Sequence, residues 1–196
     1  MTRKEIAALK AARRARREEA KRPIAHPTDP SALLIRLSRG RFAVIDREDA
    51  EFICRWKWYL CPARNTPFAT AHAIRKRLSG ESGPGSIQLH RVLWEHWGLP
   101  FAEEIDHRDM DGLNCRRANL RAASPAQNRQ NRRKRSDGKS SQHKGVMFYP
   151  RYGKWLARIT FEKRRRCLGY FTSQDAAARA YAEAALSLHG EFARTE

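Results

Sequence analysis

Two hydrophilic breaks set the size of any folded body this chain can make. "SGESGPGS" at residues 79–86 and "KRSDGKSSQ" at 134–142 are loop chemistry throughout, and Pro23, Pro27 and Pro30 interrupt the chain near its start. Between the breaks only short amphipathic segments remain. Apolar residues make up 41% of the 196 residues, enough for several small cores but not for one large one. The expected organisation is a basic helical arm with a linker over 1–32, a mixed α/β module over 33–135, a linker over 136–142 and a last module over 143–196.

Local signals fill in these modules. Residues 2–22 are helix formers with almost no apolar stripe, so an exposed basic helix is expected, followed by "IAHPTDPSA" as a linker. "LLIRLSRGRFAVID" reads as two strands joined at "SRG", and "DREDAEFICRWKWYL" as a capped helix showing Phe52, Trp56 and Tyr59 on one face. "FATAHAIRKRL" predicts a further strand. Leu89, Val92, Leu93 and Trp97 have helical spacing, stopped at Gly98 and Pro100. Ser124 with Pro125 predicts a helix from 125 to about 134. In the last module "HKGVMFYPR", "GKWLARITFEK" and "RRRCLGYF" predict three strands. A helix capped by Thr172 and Asp175 follows, with Ala176, Ala177, Ala180, Ala184, Ala185 and Leu188 on one face. The four tryptophans at 56, 58, 94 and 97 are assigned to cores.

The formal charge of +19, with basic residues spread along the whole chain, points to a polyanionic partner. An anionic membrane is a poor alternative, since there is neither a lipid anchor nor a basic helix with a strong apolar face. No apolar run reaches the roughly 18 residues of a bilayer span, and the N-terminus lacks a secretory signal's apolar region. A cytoplasmic protein, on the nucleoid when bound to DNA, is expected. Cys54, Cys61, Cys115 and Cys167 form no C-x-x-C pair, so neither a zinc cage nor disulfides are expected.

The stretch "IDHRDMDGLNCRRANLR", residues 105–121, concentrates the polar chemistry. Asp106 and His107 end a predicted strand, a loop with Gly112 follows, "ANLRAAS" makes a second strand, and Asn128 sits one turn into the next helix. A carboxylate and an amide oxygen are hard ligands suited to Mg²⁺ or Mn²⁺. Phosphodiester hydrolysis needs a base for water, an electrophile at the phosphate and positioning groups. Asp106 and Asn128 can hold one cation, His107 can take a proton near neutral pH, and Asn119 can fix the loop that carries the imidazole.

Those residues in that order, "DH", then "NLR", then Asn128, resemble the HNH nuclease motif in its H-N-N form, as in phage and intron-associated homing endonucleases. "LHR" (His90, Arg91) and the aromatic segment from Phe42 to Tyr59 resemble the regions upstream of it. The resemblance implies a ββα-metal core over 103–135 and single-metal DNA hydrolysis leaving 5′-phosphate and 3′-hydroxyl ends. It assigns His107 as general base, Asp106 and Asn128 as metal ligands, and Asn119 as the orienting asparagine. Arg121, Arg129, Arg132 and Arg133 are the expected DNA contacts of this module. Many relatives carry Asp-Asn where this chain has Asn114-Cys115, so no role is transferred there, and His90 is assigned to structure.

Through "HKGV", "GKWLARI", "LGYF", "DAAARAYAEAA" and "HGEFA", residues 141–196 resemble the ethylene-response-factor (APETALA-type) DNA-binding domain. That implies a three-stranded antiparallel sheet placed in the major groove, with a helix behind it. The exposed positions are Met147, Tyr149, Tyr152, Arg158, Thr160 and Arg165, with Lys154 and Arg164 on phosphates.

The expectation is therefore an α+β chain: a ββα-metal nuclease core with an N-terminal mixed α/β segment, plus a small antiparallel sheet packed on one helix. It would act as a monomeric homing-type endonuclease on double-stranded DNA with Mg²⁺ or Mn²⁺, without membrane or obligate protein partner. A non-catalytic DNA-binding regulator and an RNA-binding protein are the alternatives.

Overall fold

The computed structural model describes residues 1–19, 21–62, 69–75, 85–132, 134 and 140–195. Arg133 and most of the 136–142 linker lie outside the described residues. The elements form a mixed α/β chain with small antiparallel sheets, which group into two compact units, Met1–Ala122 and Ala123–Glu196. Among the described residues no helix is long and apolar enough to cross a membrane.

The first unit begins with α1 (Arg3–Glu19), whose described side chains are exposed as its missing apolar stripe requires. β1 (Ile24–Ala25), β2 (Ala32–Arg36) and β3 (Phe42–Asp46) follow as one antiparallel sheet. The predicted linker thus contributes a strand: Ile24 pairs with Leu34 and Ala25 with Leu33, in the short stretch between Pro23 and Pro27. The helix expected from Asp46 to Leu60 is a single turn, α2 (Ala50–Ile53), after which β4 (Trp58–Pro62) pairs with β5 (Ala69–Arg75). Aromatic residues at 58 and 59 favour a pleated strand, and cross-strand pairing outweighs local helical spacing. β6 (Gly85–Gln88) completes that sheet and leads into α3 (Leu89–His96).

Leu33, Ile35 and Ile45 from the first sheet pack with Ile53, Trp58, Leu89 and Leu93 to form the main core. A smaller cluster of Ala102, Ile105 and Leu120 lies against Trp94 and Trp97. It seats a two-stranded sheet of β7 (Glu104–His107) and β8 (Leu120–Ala123).

The second unit opens with α4 (Pro125–Asn131), shorter than the spacing predicted. Ser124 caps it: its side chain accepts from the Gln127 N–H at 3.2 Å, and the Gln127 side chain accepts from the Ser124 N–H at 2.8 Å. β9 (Val146–Tyr149), β10 (Lys154–Phe161) and β11 (Arg164–Phe171) form an antiparallel sheet with β10 in the middle. α5 (Gln174–His189) packs on it through Ala177, Tyr181 and Ala185, against Val146, Ala157 and Ile159. Its cap is Ser173, accepting from the Ala176 N–H at 3.1 Å, one residue beyond the predicted Thr172. Small helix residues let backbone and sheet approach closely.

Gly145 marks the tightest point of that packing. Its φ is +71°, and a Cβ there would strike the Tyr181 ring and lie 2.6 Å from the Arg158 carbonyl oxygen. Gly145→Ala should therefore destabilise the protein by about 2–4 kcal/mol, from the left-handed backbone and the overpacking together. Urea unfolding followed by tryptophan fluorescence measures it; a loss below about 1 kcal/mol would show that this contact relaxes freely.

Candidate active site

β7 ends on the Asp106-His107 pair, and α3 holds the approach to it: the Arg91 guanidinium donates to the Glu103 carbonyl at 3.0 Å. Asp106 is buried, 4% exposed, and receives two bonds at Oδ2 from Arg121 of β8, from Nε at 2.9 Å and Nη2 at 2.8 Å. Arg121 is itself 6% exposed. A charge-assisted pair of this kind fixes the plane of the carboxylate.

His107 faces other neighbours, as alternation along a strand requires. Its ring meets the buried His90 ring of α3 edge to face, centroids 5.2 Å apart, and its Nε2 lies 3.9 Å from the Cys115 Sγ. Burial lowers the His107 pKa, opposed in part by Asp109, Asp106 and Asp111, so the imidazole favours its neutral form. Burial, reinforced by Asp111 and Asp109, pushes the Cys115 thiol well up, and Cys115 stays protonated beside the ring.

The chain turns directly after His107, whose carbonyl accepts from the Met110 N–H at 2.9 Å. Met110 takes a φ of +64° in doing so. The loop is then cross-braced by Asn119. Its Oδ1 accepts from the Asp109 N–H at 3.1 Å, and its Nδ2 donates to Asp109 Oδ1 at 2.9 Å and to the Asn114 carbonyl at 2.7 Å. Asn114 closes the triangle by donating from Nδ2 to Asp109 Oδ2 at 2.7 Å. The geometry gives Asn114 a bracing role that the sequence left unassigned.

A second set of ties stitches the loop to β3. Val44 N–H donates to the Leu113 carbonyl and Cys115 N–H to the Val44 carbonyl, both at 2.8 Å. Arg116 donates from Nε to Asp46 Oδ1 at 2.7 Å, from Nη2 to Ser31 Oγ at 2.8 Å, and from Nη1 to Asp29. Hydrogen bonds from Ser31 and then Arg116 lower the Asp29 carboxyl to about 2. Asp29 and Asp46 lie far back in the chain, and no spacing rule connects them to Arg116.

The remaining predicted residues fall in the second unit. Asn128 sits on α4, its N–H donating to the Ser124 carbonyl at 3.0 Å, and Arg129 and Arg132 are exposed on and just after that helix. Tyr152, Lys154, Arg158, Thr160, Arg164 and Arg165 are exposed, while Met147 and Tyr149 are half-buried. Tyr149 and Tyr152 join Tyr170, a residue the sequence reading did not single out, in a cluster with ring centroids 5.2–5.7 Å apart. Register could have found Tyr170, since it lies opposite Leu156 on the central strand.

The chain is similar to a protein of Acanthamoeba polyphaga mimivirus named as an uncharacterized HNH endonuclease. The two are 26% identical over 163 residues, covering 82% of this chain and 77% of that protein. No solved structure matches. Residues 88–130, which run from the end of β6 through all but the last residue of α4, match the family model described as HNH endonuclease.

Proposed function

We propose that this chain is a metal-dependent DNA endonuclease of homing type, with His107 as general base. The observation that carries the reading is the neutral-leaning His107 beside an ion-paired Asp106, above a loop braced by Asn119, inside the segment that matches the HNH model. The substrate is double-stranded DNA, cut by a monomer. We assign site selection to the second unit, read as an ethylene-response-factor-like domain; its three-stranded antiparallel sheet with one packed helix supports that reading.

The donor chemistry fits a hard divalent cation, Mg²⁺ or Mn²⁺. Asp106, through its carboxylate, and Asn128, through its amide oxygen, are the residues that would hold it. Among the described residues no three His, Cys, Asp or Glu side chains form a metal cage; a hard cation of this kind would need only one or two protein donors. When bound, the cation neutralises charge at the scissile phosphate and the leaving oxygen. His107 takes the proton of the attacking water, and the aspartates around it stabilise the imidazolium that results. Asn119 keeps the loop, and with it the imidazole, in place. Arg129 on α4 and Arg132 just after it, both exposed, hold DNA phosphates, as does Arg133; Arg121 acts through Asp106.

Supercoiled plasmid tests this. Nicked or linear product should appear with Mg²⁺ or Mn²⁺ and fall by at least about a hundredfold in excess EDTA. Cleavage that ignores EDTA would end the metal-dependent reading. One observation favours a second reading: Arg121 already engages Oδ2 of Asp106, as suits a DNA-binding regulator that keeps the nuclease fold as a scaffold. Binding without cleavage under every metal would select it.

A further inference from the structure

The second unit contains a groove of about 590 Å³ between α4 and the β10–β11 end of the sheet. β9 covers β10 only as far as Ala157, and the groove runs along the part beyond it. Five cations from four chain segments line it: Arg129 of α4, Lys144, Arg158 of β10, and Lys163 and Arg165 at the last hairpin. Glu162 is its one acid.

This charge is built in. Lys144 donates from Nζ to the carbonyls of Gln130 and Arg132 at the C-terminal end of α4, which satisfies the ammonium but neutralises nothing. Burial first, and the nearby Arg194 second, lower its pKa to about 8. His189, also on the groove, has a buried Nδ1 with no hydrogen-bond partner among the described residues. Lys134 ties α4 to the same body by donating from Nζ to the carbonyls of His143 and Val146, each at 2.7 Å. Five cations lining one groove with one carboxylate among them favour an anion that lies between them.

We propose that this groove binds the sugar-phosphate backbone of one DNA strand, so that α4 and the C-terminal sheet grip substrate as a single surface. The volume exceeds one phosphate group several times over, and the cations stand on both walls, which suits a run of backbone. Thr160 and Gln130 add neutral polar groups of the kind that contact phosphates. The inference rests on the DNA endonuclease reading and adds Lys144, Lys163 and Gln130 to its contact surface.

The test uses the full chain and a fluorescently labelled duplex, with binding followed by anisotropy from 50 to 200 mM salt. The pair Lys163→Glu with Gln130→Glu should bind at least about tenfold more weakly than wild type and flatten the log–log salt slope by about 1, the loss of one phosphate contact. A control pair with the same charge change on the exposed side of α5, Arg179→Glu with Ser187→Glu, should bind within about threefold of wild type. Equal losses in both pairs would overturn the groove while leaving DNA binding intact. Wild type that binds no DNA would remove the endonuclease reading and the groove together. Titration with inorganic pyrophosphate separates the remaining source of phosphate. Tight pyrophosphate binding abolished by the groove pair, with DNA affinity unchanged, would mean a small free anion and not a strand.

Discussion

His107→Ala should lower plasmid cleavage by about 10²–10⁴-fold, the usual contribution of a positioned general base, with DNA affinity within a few fold of wild type. The imidazole makes edge-to-face contact with His90 and lies near Cys115, so the substitution also leaves a small cavity. Circular dichroism and DNA binding therefore accompany the assay, and wild-type cleavage by a folded His107→Ala protein would remove His107 from the mechanism. The pH profile makes the same point in the intact enzyme. A base works when neutral, and burial lowers the His107 pKa from its usual 6.5. The cleavage rate should rise with pH to a plateau, with its midpoint below 6.5. The linkage sign agrees: protonation is disfavoured in the folded state, so His107 subtracts stability as pH falls through 6.5 toward the lower folded value. A midpoint above 7 would identify a different titrating group.

Arg121→Ala should cost about 3–5 kcal/mol of stability, because it removes the guanidinium that meets Oδ2 of the buried Asp106 carboxylate. Cleavage would fall with it, since the Asp106 side chain would lose the two bonds that fix its plane. The urea midpoint reads the stability loss and the plasmid assay the loss of cleavage. Adding Asp106→Asn to Arg121→Ala should recover a large part of the stability while leaving cleavage absent. A loss under about 1 kcal/mol in the single variant would mean that water reaches this pair and screens it.

These two sites differ in how the sequence announces them. Asp106, His107 and Asn119 stand out because residue types and order are local information: a strand end, a turn and a second strand lie within one short stretch. The Arg121 partnership with Asp106 was less visible. An arginine beside a basic helix reads as a DNA contact, and only strand pairing shows that it is buried. The misread segment from Asp46 to Leu60 has the same cause. Helical spacing was genuine there but short, and the pairing of Trp58–Pro62 with Ala69–Arg75 outweighed it.

By itself, the sequence determined what depends on near neighbours along the chain: the Ser124-Pro125 start of α4, the helical spacing of α3, the small-residue face of α5, the three strands before it, and the strand, loop, strand, helix order around His107. Each of these is set by backbone preferences or side-chain reach over a few residues. Only the tertiary structure decided which distant groups meet. Arg116 reaches Asp29 and Asp46, Cys115 comes to lie beside His107, and Lys144 takes the carbonyls at the end of α4. These contacts arise because buried charges and backbone carbonyls must find partners wherever the chain brings one within reach, and separation along the sequence places no limit on where that is.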